Sequence, residues 1–161
     1  MKDILQVEGR LTPLSSKTHI TYQFHLPEAT DRLRVAFSYS PKRLEDPVKA
    51  KAMIHQALEQ YAEPSQQERL KEKWESYAPL LNLLTLSVDD PDGFRGSAHR
   101  HPNEQLHLIG ADISSPGFFS GRIQQGVWRV TISAHCIVTD NCEYQLLVQA
   151  EGGASDEVAA I

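Results

Sequence analysis

Apolar residues recur at alternate positions over much of the last third of the chain. Every second position from Trp128 to Val138 is apolar, and after a short polar stretch the alternation resumes from Cys142 to Ala150. A period of two is typical of a β-strand with one buried face. We therefore predict two strands joined as a β-hairpin, with Cys136 opposite Cys142 so that both apolar sets share one face.

The same alternation marks strands earlier in the chain. Short strands are predicted at 6–11, 17–26, 33–39, 80–88 and 105–109, separated by turns rich in Pro, Gly and Asp. A dense turn signal follows the fourth of them, and we predict that a turn and a polar loop fill 89–103. Seven or eight short strands predict a mainly β fold, an antiparallel two-sheet β-sandwich of jelly-roll or galactose-binding-like form.

The hydrophobic period changes from two to that of a helix between positions 44 and 78. Asp46 followed by proline predicts the N-cap of a first helix, and a capping-box signal at Ser65 predicts the start of a second. We therefore predict a helical insertion at about 44–78 within a single domain that spans 7–150. The insertion either presents a solvated face or docks a partner, and its packing surface is left open.

Composition and charge narrow the class of protein. A chain of 161 residues with 40% hydrophobic content can bury one substantial core. It has no run of about 18 apolar residues and no signal-like N-terminus, so we expect a cytoplasmic protein without a membrane span. The net charge of -5 arises after Arg129, where the chain has acidic but no basic residues, so nucleic-acid binding is not expected. We predict a flexible acidic tail at 151–161.

The two cysteines would be cross-strand neighbours in the predicted hairpin. Cys136 and Cys142 could then form a disulfide bond, because paired strands approach closely enough for one. A reducing cytosol favours two small buried thiols instead.

Three short motifs resemble a known family. They are Glu8-Gly9-Arg10-Leu11-Thr12-Pro13, Asp90-Pro91-Asp92-Gly93-Phe94-Arg95-Gly96-Ser97, and Ser115-Pro116-Gly117-Phe118 followed by Gly121, Gly126, Trp128 and Val130. In order and spacing they resemble the N-terminal module of PHP-domain metallohydrolases, the CehA/McbA-like group. In that group a β-sandwich precedes a histidine-rich, metal-dependent phosphoesterase domain. Because this sequence stops at Ile161, the resemblance implies a stand-alone accessory module to which no catalytic residue can be carried over.

A group of aspartate and histidine residues suggests a metal site. Asp89, Asp92, His99 and His101 supply the oxygen and nitrogen ligands that zinc or another divalent metal accepts. Such a site would make the protein a small metal-dependent hydrolase. The alternative is a polar surface loop, which we favour because the spacing matches no stronger motif. No resident cofactor is otherwise expected.

Five residues in loops at one end of the predicted sandwich could hold a ligand. Phe94, Arg95, Phe118, Phe119 and Arg122 offer stacking and hydrogen bonding to a sugar or a phosphate. Arg95 could instead bind loop carbonyls or pair with a nearby aspartate. We therefore favour a non-catalytic binding or interaction module over an enzyme, either self-associating as a homo-oligomer or docking onto a separately encoded PHP-domain enzyme.

Three histidines fall on the polar faces of predicted strands. His19 and His25 lie on one strand and His135 on another. They would form a polar cluster if those strands were neighbours, and solvated side chains otherwise.

Overall fold

The computed structural model describes residues 1–98 and 102–152, in which eight β-strands form two sheets. The strands are β1 (Lys2–Leu11), β2 (Thr18–Leu26), β3 (Arg32–Ser40), β4 (Leu83–Asp90), β5 (Gly93–Ala98), β6 (Glu104–Gly110), β7 (Gly126–Cys136) and β8 (Cys142–Glu151). Sheet A has the strand order β1-β8-β3-β6 and sheet B the order β2-β7-β4-β5, with every pairing antiparallel. The predicted antiparallel two-sheet sandwich is confirmed.

The predicted hairpin of β7 and β8 is wrong. The strand β7 pairs with β2 and β4 in sheet B, whereas β8 pairs with β1 and β3 in sheet A. Cys142 therefore lies opposite Leu11, and Cys136 lies opposite Leu83. Period-two burial cannot distinguish two paired strands from two strands that face each other across a core, because either arrangement buries one side of each.

Both cysteines are free thiols in the structure. Burial raises the pKa of Cys142 to about 11, against a smaller opposing effect of the Lys42 charge. Burial also raises the pKa of Cys136. Both groups are therefore protonated at neutral pH and are poor nucleophiles.

The inner faces of both sheets form one hydrophobic core. The predicted alternating residues of β3, β4, β7 and β8 lie there, and Trp128, Phe37, Leu84 and Leu146 are among the largest fully buried side chains. Trp128 stacks on Phe24 with the ring centroids 6.4 Å apart, and its indole Nε1 donates to the carbonyl of Gln124 at 2.9 Å. The buried indole thus has its one donor satisfied.

The sequence prediction does not include the strand β5 and does not give the orientation of β6. The strand β5 lies within the stretch predicted as turn and loop, where its glycines lowered the strand signal. The strand β6 lies where predicted but is turned so that Gln105 and Ile109 are buried while Leu106 and Leu108 face outward. Gln105 is satisfied inside, because its amide donates to the carbonyl of Pro102 at 2.9 Å and its oxygen pairs with His107 Nε2 at 2.8 Å.

Two α-helices, α1 (Pro47–Tyr61) and α2 (Gln67–Glu72), lie between β3 and β4. The N-cap prediction at Asp46 is confirmed, since its carboxylate accepts from the backbone amides of Val48 and Lys49. The capping box at Ser65 is wrong, because α2 is capped at Gln66 without a side-chain bond. In the described residues, no helix is long and apolar enough to cross a membrane.

The helical insertion packs mainly on itself, with α1 against α2 and against the 3₁₀ turn Trp74–Tyr77. Lys49 Nζ forms an ion pair with Asp140 Oδ2 at 2.7 Å, which ties α1 to the connection between β7 and β8. The insertion leaves the outer side of β4 uncovered at Thr85 and Ser87, which line an open groove.

Candidate ligand-binding surface

The hairpin between β4 and β5 is fixed by Asp90. Its Oδ1 accepts from the backbone amides of Asp92 and Gly93 at 2.7 and 3.0 Å, as expected of an aspartate that begins a turn. Its Oδ2 pairs with Arg95 Nη1 at 3.0 Å, and both side chains are largely buried. The turn predicted at this position is therefore held by one carboxylate that accepts from two backbone amides and pairs with one arginine.

Arg95 holds the loop that follows Gly117. Its Nε donates to the carbonyl of Phe119 at 2.7 Å, Nη2 to that of Gly121 at 2.6 Å, and Nη1 to that of Arg122 at 3.2 Å. The guanidinium also lies over the ring of Trp128, 5.6 Å from its centroid. Only 6% of the residue is exposed. Of the alternatives for Arg95, the structure supports the tie to loop carbonyls and to an aspartate.

The loop that Arg95 holds also extends sheet B beyond β5. The Ser97 amide donates to the Gly117 carbonyl at 3.0 Å, and the Phe119 amide donates to the Arg95 carbonyl at 2.9 Å. Gly96 permits this approach, because a Cβ there would overlap the backbone of Gly117 and Phe118 and its φ of +148° disfavours other residues. The free edge of β5 is therefore covered by the chain itself.

Of the other four predicted ligand residues, Phe118 alone is buried. Phe118 packs inward beside His107 with the ring centroids 5.0 Å apart. Phe94 and Phe119 remain 60% and 61% exposed and meet edge to face, with centroids 6.2 Å apart. The side chain of Arg122 is also exposed. The predicted site therefore separates into a buried frame and an exposed pair of phenyl rings.

Phe94 lines a shallow groove of about 540 Å³ on the outer face of sheet B. The other lining residues are Leu83, Thr85, Leu86, Ser87, Ser97, Ala98, Ser133 and His135. The residues Thr21, Thr131, Ser87 and Ser97 stand in one cross-strand row, so a line of hydroxyl groups crosses all four strands. The groove thus combines an apolar ring at its side with a hydroxyl-rich floor.

Histidine side chains extend this polar face. His135 Nε2 is 2.6 Å from Thr85 Oγ1, and His19 Nδ1 is 2.8 Å from Ser133 Oγ. The strands β2 and β7 are neighbours, so the condition for a shared polar surface is met for His19 and His135. His25 lies at the far end of β2, opposite Val127, and does not join them.

The predicted metal site is not assembled by the residues that the structure describes. Asp89 lies at the end of β4 opposite Arg129, while Asp92 Oδ2 accepts from Gln124 Nε2 at 2.8 Å. His99 and His101 lie outside the described residues. Over 1–98 and 102–152, no three His, Cys, Asp or Glu side chains are grouped to hold a metal ion.

The floor of the groove was missed by sequence reasoning. The alternation marks Thr85, Ser87 and Ser133 only as polar positions of strands, and Ser97 lies in a predicted turn and loop. A repeated choice of Ser and Thr at outward positions was the available signal. These Ser and Thr residues form a groove floor only because the strand order places β5, β4 and β7 side by side.

No protein-family model matches the chain, and no curated protein matches it. Among solved structures, similar chains include the pre-peptidase C-terminal domain of collagenase from Bacillus anthracis, with 8% identity and a TM-score of 0.46 over 92% of this chain and 91% of that chain. A protein of Sulfurospirillum deleyianum has 7% identity and a TM-score of 0.32 over 90% of this chain and 98% of that one. The CUB1-EGF-CUB2 domain of human MASP-1/3 has 9% identity and a TM-score of 0.29 over 94% of this chain and 45% of that one. All three TM-scores lie below 0.5, and the fold assignment stands on the two sheets of this chain.

Proposed function

We propose that this domain is a non-catalytic binding module that holds a neutral sugar on the outer face of sheet B. The observation that carries the proposal is the exposed ring of Phe94 beside a floor of hydroxyl groups. The face of a phenyl ring carries partial negative charge and attracts the polarised C–H groups of a sugar ring. Hydroxyl and imidazole groups both donate and accept, which suits the hydroxyl groups of a sugar.

A sugar fits this groove better than a phosphate does. Among the described lining residues there is no Lys or Arg, and phosphate sites usually need cationic side chains or backbone nests. Arg95 cannot supply the charge, because its guanidinium is engaged by Asp90 and by loop carbonyls. Arg122 is exposed but does not line the groove.

We also propose that the module is cytoplasmic and accessory to a separately encoded PHP-type phosphoesterase. The sequence resemblance alone supports this partner. The strand orders 1-8-3-6 and 2-7-4-5 support the jelly-roll form of the predicted sandwich. The alternative of a small metal-dependent hydrolase stays a prediction, with Asp89 and Asp92 not grouped with a third described ligand.

Titration of a panel of neutral mono- and oligosaccharides, followed by calorimetry, tests the proposal. We expect saturable binding that falls by up to about tenfold in Phe94→Ala, as the loss of one aromatic contact would predict. Tyr61→Ala is the matched control, because Tyr61 is an exposed aromatic residue on α1, away from the groove. Equal effects of the two substitutions, binding of inorganic phosphate but of no sugar, or no binding at millimolar sugar would each contradict the proposal.

A further inference from the structure

The orientation of β6 places two leucines on the surface and two polar side chains inside. Leu106 and Leu108 are 50% and 37% exposed on the outer face of sheet A, while Gln105 and His107 point inward. A shift of one residue would exchange these sets. Burying the leucines would gain apolar stabilisation, so their outward placement is not explained by the core of this domain.

Leu106 extends an apolar row that crosses sheet A. By strand register, Leu147 of β8 lies beside Ala36 of β3, and Ala36 lies beside Leu106 of β6. Gln6 of β1 ends the row on the far side. Three apolar side chains thus lie next to one another in one row across three strands.

A second row, two residues further along the strands, ends in carboxylates. It runs from Glu8 of β1 through Gln145 and Ser38 to Glu104 of β6. The small side chains of β3 leave two contiguous depressions here, of about 590 and 530 Å³, and both are lined by Glu8, Ser38, Gln145 and Glu104. The larger depression lies between the apolar row and the carboxylate row.

The carboxylates of this face have no partner among the residues that the structure describes. Glu8, Glu104 and Glu143 are exposed, and none of them makes an ion pair or a side-chain hydrogen bond with any described residue. Arg10 is the one described base that lines either depression. Farther along the sheet the charge is balanced, since Arg32 pairs with Glu151 at 3.4 Å. The two depressions together form a trough whose described lining has three carboxylates and one arginine, so its net charge is negative.

We propose that the outer face of sheet A docks an extended peptide segment of a partner protein in which basic and apolar residues alternate. Side chains on one side of an extended peptide recur about every 6.8 Å, and adjacent strands are about 4.8 Å apart. Glu8 and Glu104 stand three strands apart, about 14 Å, which matches basic residues at positions i and i+4. The residues at i+1 and i+3 point to the opposite side, toward the apolar row of Leu147, Ala36 and Leu106.

Fluorescence anisotropy with a labelled peptide of alternating lysine and leucine tests this docking surface. We expect the E8Q/E104Q variant to bind about tenfold more weakly, because each exposed ion pair contributes a few-fold at most. The control E45Q/E75Q removes the same charge from exposed positions next to and within the helical insertion and should change binding less than twofold. L147T should also weaken binding, whereas added salt should weaken the wild type more than E8Q/E104Q.

Several outcomes would overturn the proposal. They are equal losses in the two charge variants, equal binding of a glutamate–leucine peptide, and undiminished binding of a lysine–serine peptide. Sedimentation velocity of the wild type adds another, since a dimer dispersed by Leu106→Lys would show that a second copy covers the face. Both charge variants keep side-chain shape at exposed sites, so circular dichroism should confirm that they fold. These readouts are independent of whether sheet B binds a sugar.

Discussion

The outer face of sheet B carries hydroxyl and imidazole side chains beside Phe94, whereas the outer face of sheet A carries an apolar row beside a row that ends in carboxylates. The inner faces of the two sheets are alike, because both contribute alternating apolar residues to one core. Burial therefore fixes only half of the positions in each strand. The outward positions can carry different side chains in the two sheets, and we place a different kind of ligand on each outer face.

The two outer faces also differ in how they are held in shape. On sheet B, the phenyl pair depends on a loop that Arg95 ties to β5. On sheet A, the trough depends on the strands themselves and on the small side chains of β3. Damage to the Arg95 network should therefore impair sugar binding by sheet B while leaving peptide binding by sheet A intact.

The largest effect is expected from Arg95→Met. It would leave the carboxylate of Asp90 and the carbonyls of Phe119 and Gly121 without their buried donor. Breaking a buried ion pair by removing one partner typically lowers the free energy of unfolding by about 3–5 kcal/mol. Urea denaturation measures this change. Arg122→Met, in which an exposed side chain is removed from the same loop, should cost no more than about 0.5 kcal/mol.

Lysine at position 95 should not restore the stability. An ammonium group is a compact charge and cannot reproduce the planar fork of donors that reaches Asp90 and the loop carbonyls together. If Arg95→Lys matched the wild type in both stability and sugar affinity, the claim that this fork shapes the sheet B site would be wrong.

A smaller effect, on the sheet A side, is expected from Gly9→Ala. The ring of Tyr144 lies across Gly9, so that a Cβ there would overlap its Cζ and hydroxyl oxygen. Overpacking of a core contact typically costs about 1–3 kcal/mol. Thermal unfolding should show this loss, and the double variant G9A/Y144L should recover part of it. Additive losses in the double variant would contradict the steric explanation.

We expect the stability to depend on pH through His107, which points inward from β6. Burial lowers the pKa of His107, so the unfolded chain binds the proton more readily than the folded chain. The stability contributed by the neutral ring is therefore complete above the unfolded pKa of about 6.5 and falls as the pH drops toward the folded value.

The variant His107→Gln keeps a donor toward Gln105 but cannot titrate. At about pH 7.5 we expect it to be less stable than the wild type by about 1 kcal/mol. The difference should narrow at about pH 5.5, as measured by urea denaturation at both values. His25→Gln, at an exposed position of β2, controls for the loss of a histidine. A difference that stays constant or widens on acidification would contradict the burial argument.

Much of the fold could be predicted because buried apolar residues recur in the sequence with the period of a strand or a helix. The alternation in β2, β3, β4, β7 and β8 and the cap at Asp46 both follow from local chemistry. Strand order does not, because the same alternation fits a hairpin or two strands in opposite sheets. The prediction that paired Cys136 with Cys142 failed for that reason. The strand β5 was missed because Gly93 and Gly96 lowered its strand signal while serving its turn and its close neighbour.

The candidate site could be predicted in part. Phe94 and Phe119 were chosen because exposed aromatic residues in loops often bind ligands, and both remain exposed in the structure. Arg95 and Phe118 lie in the same stretch of sequence, yet one is bonded inside and the other packs on His107. The composition of a loop does not show which side chains are buried and which remain exposed to a ligand. Burial of an arginine depends on which carbonyls the fold brings within hydrogen-bonding distance.

The smallest effects are expected at the exposed apolar residues that distinguish the two outer faces. Phe94→Thr and Leu106→Thr should each change the free energy of unfolding by no more than about 0.5 kcal/mol, because neither side chain is part of the core. Leu146→Thr, on the inner face of β8, is the contrasting control. It should lower the free energy of unfolding by about 3 kcal/mol, because it creates a cavity and buries a hydroxyl group. If Phe94→Thr or Leu106→Thr proved as costly as Leu146→Thr, that residue would be a packing residue, and its face would lose the exposed apolar group on which the proposed ligand depends.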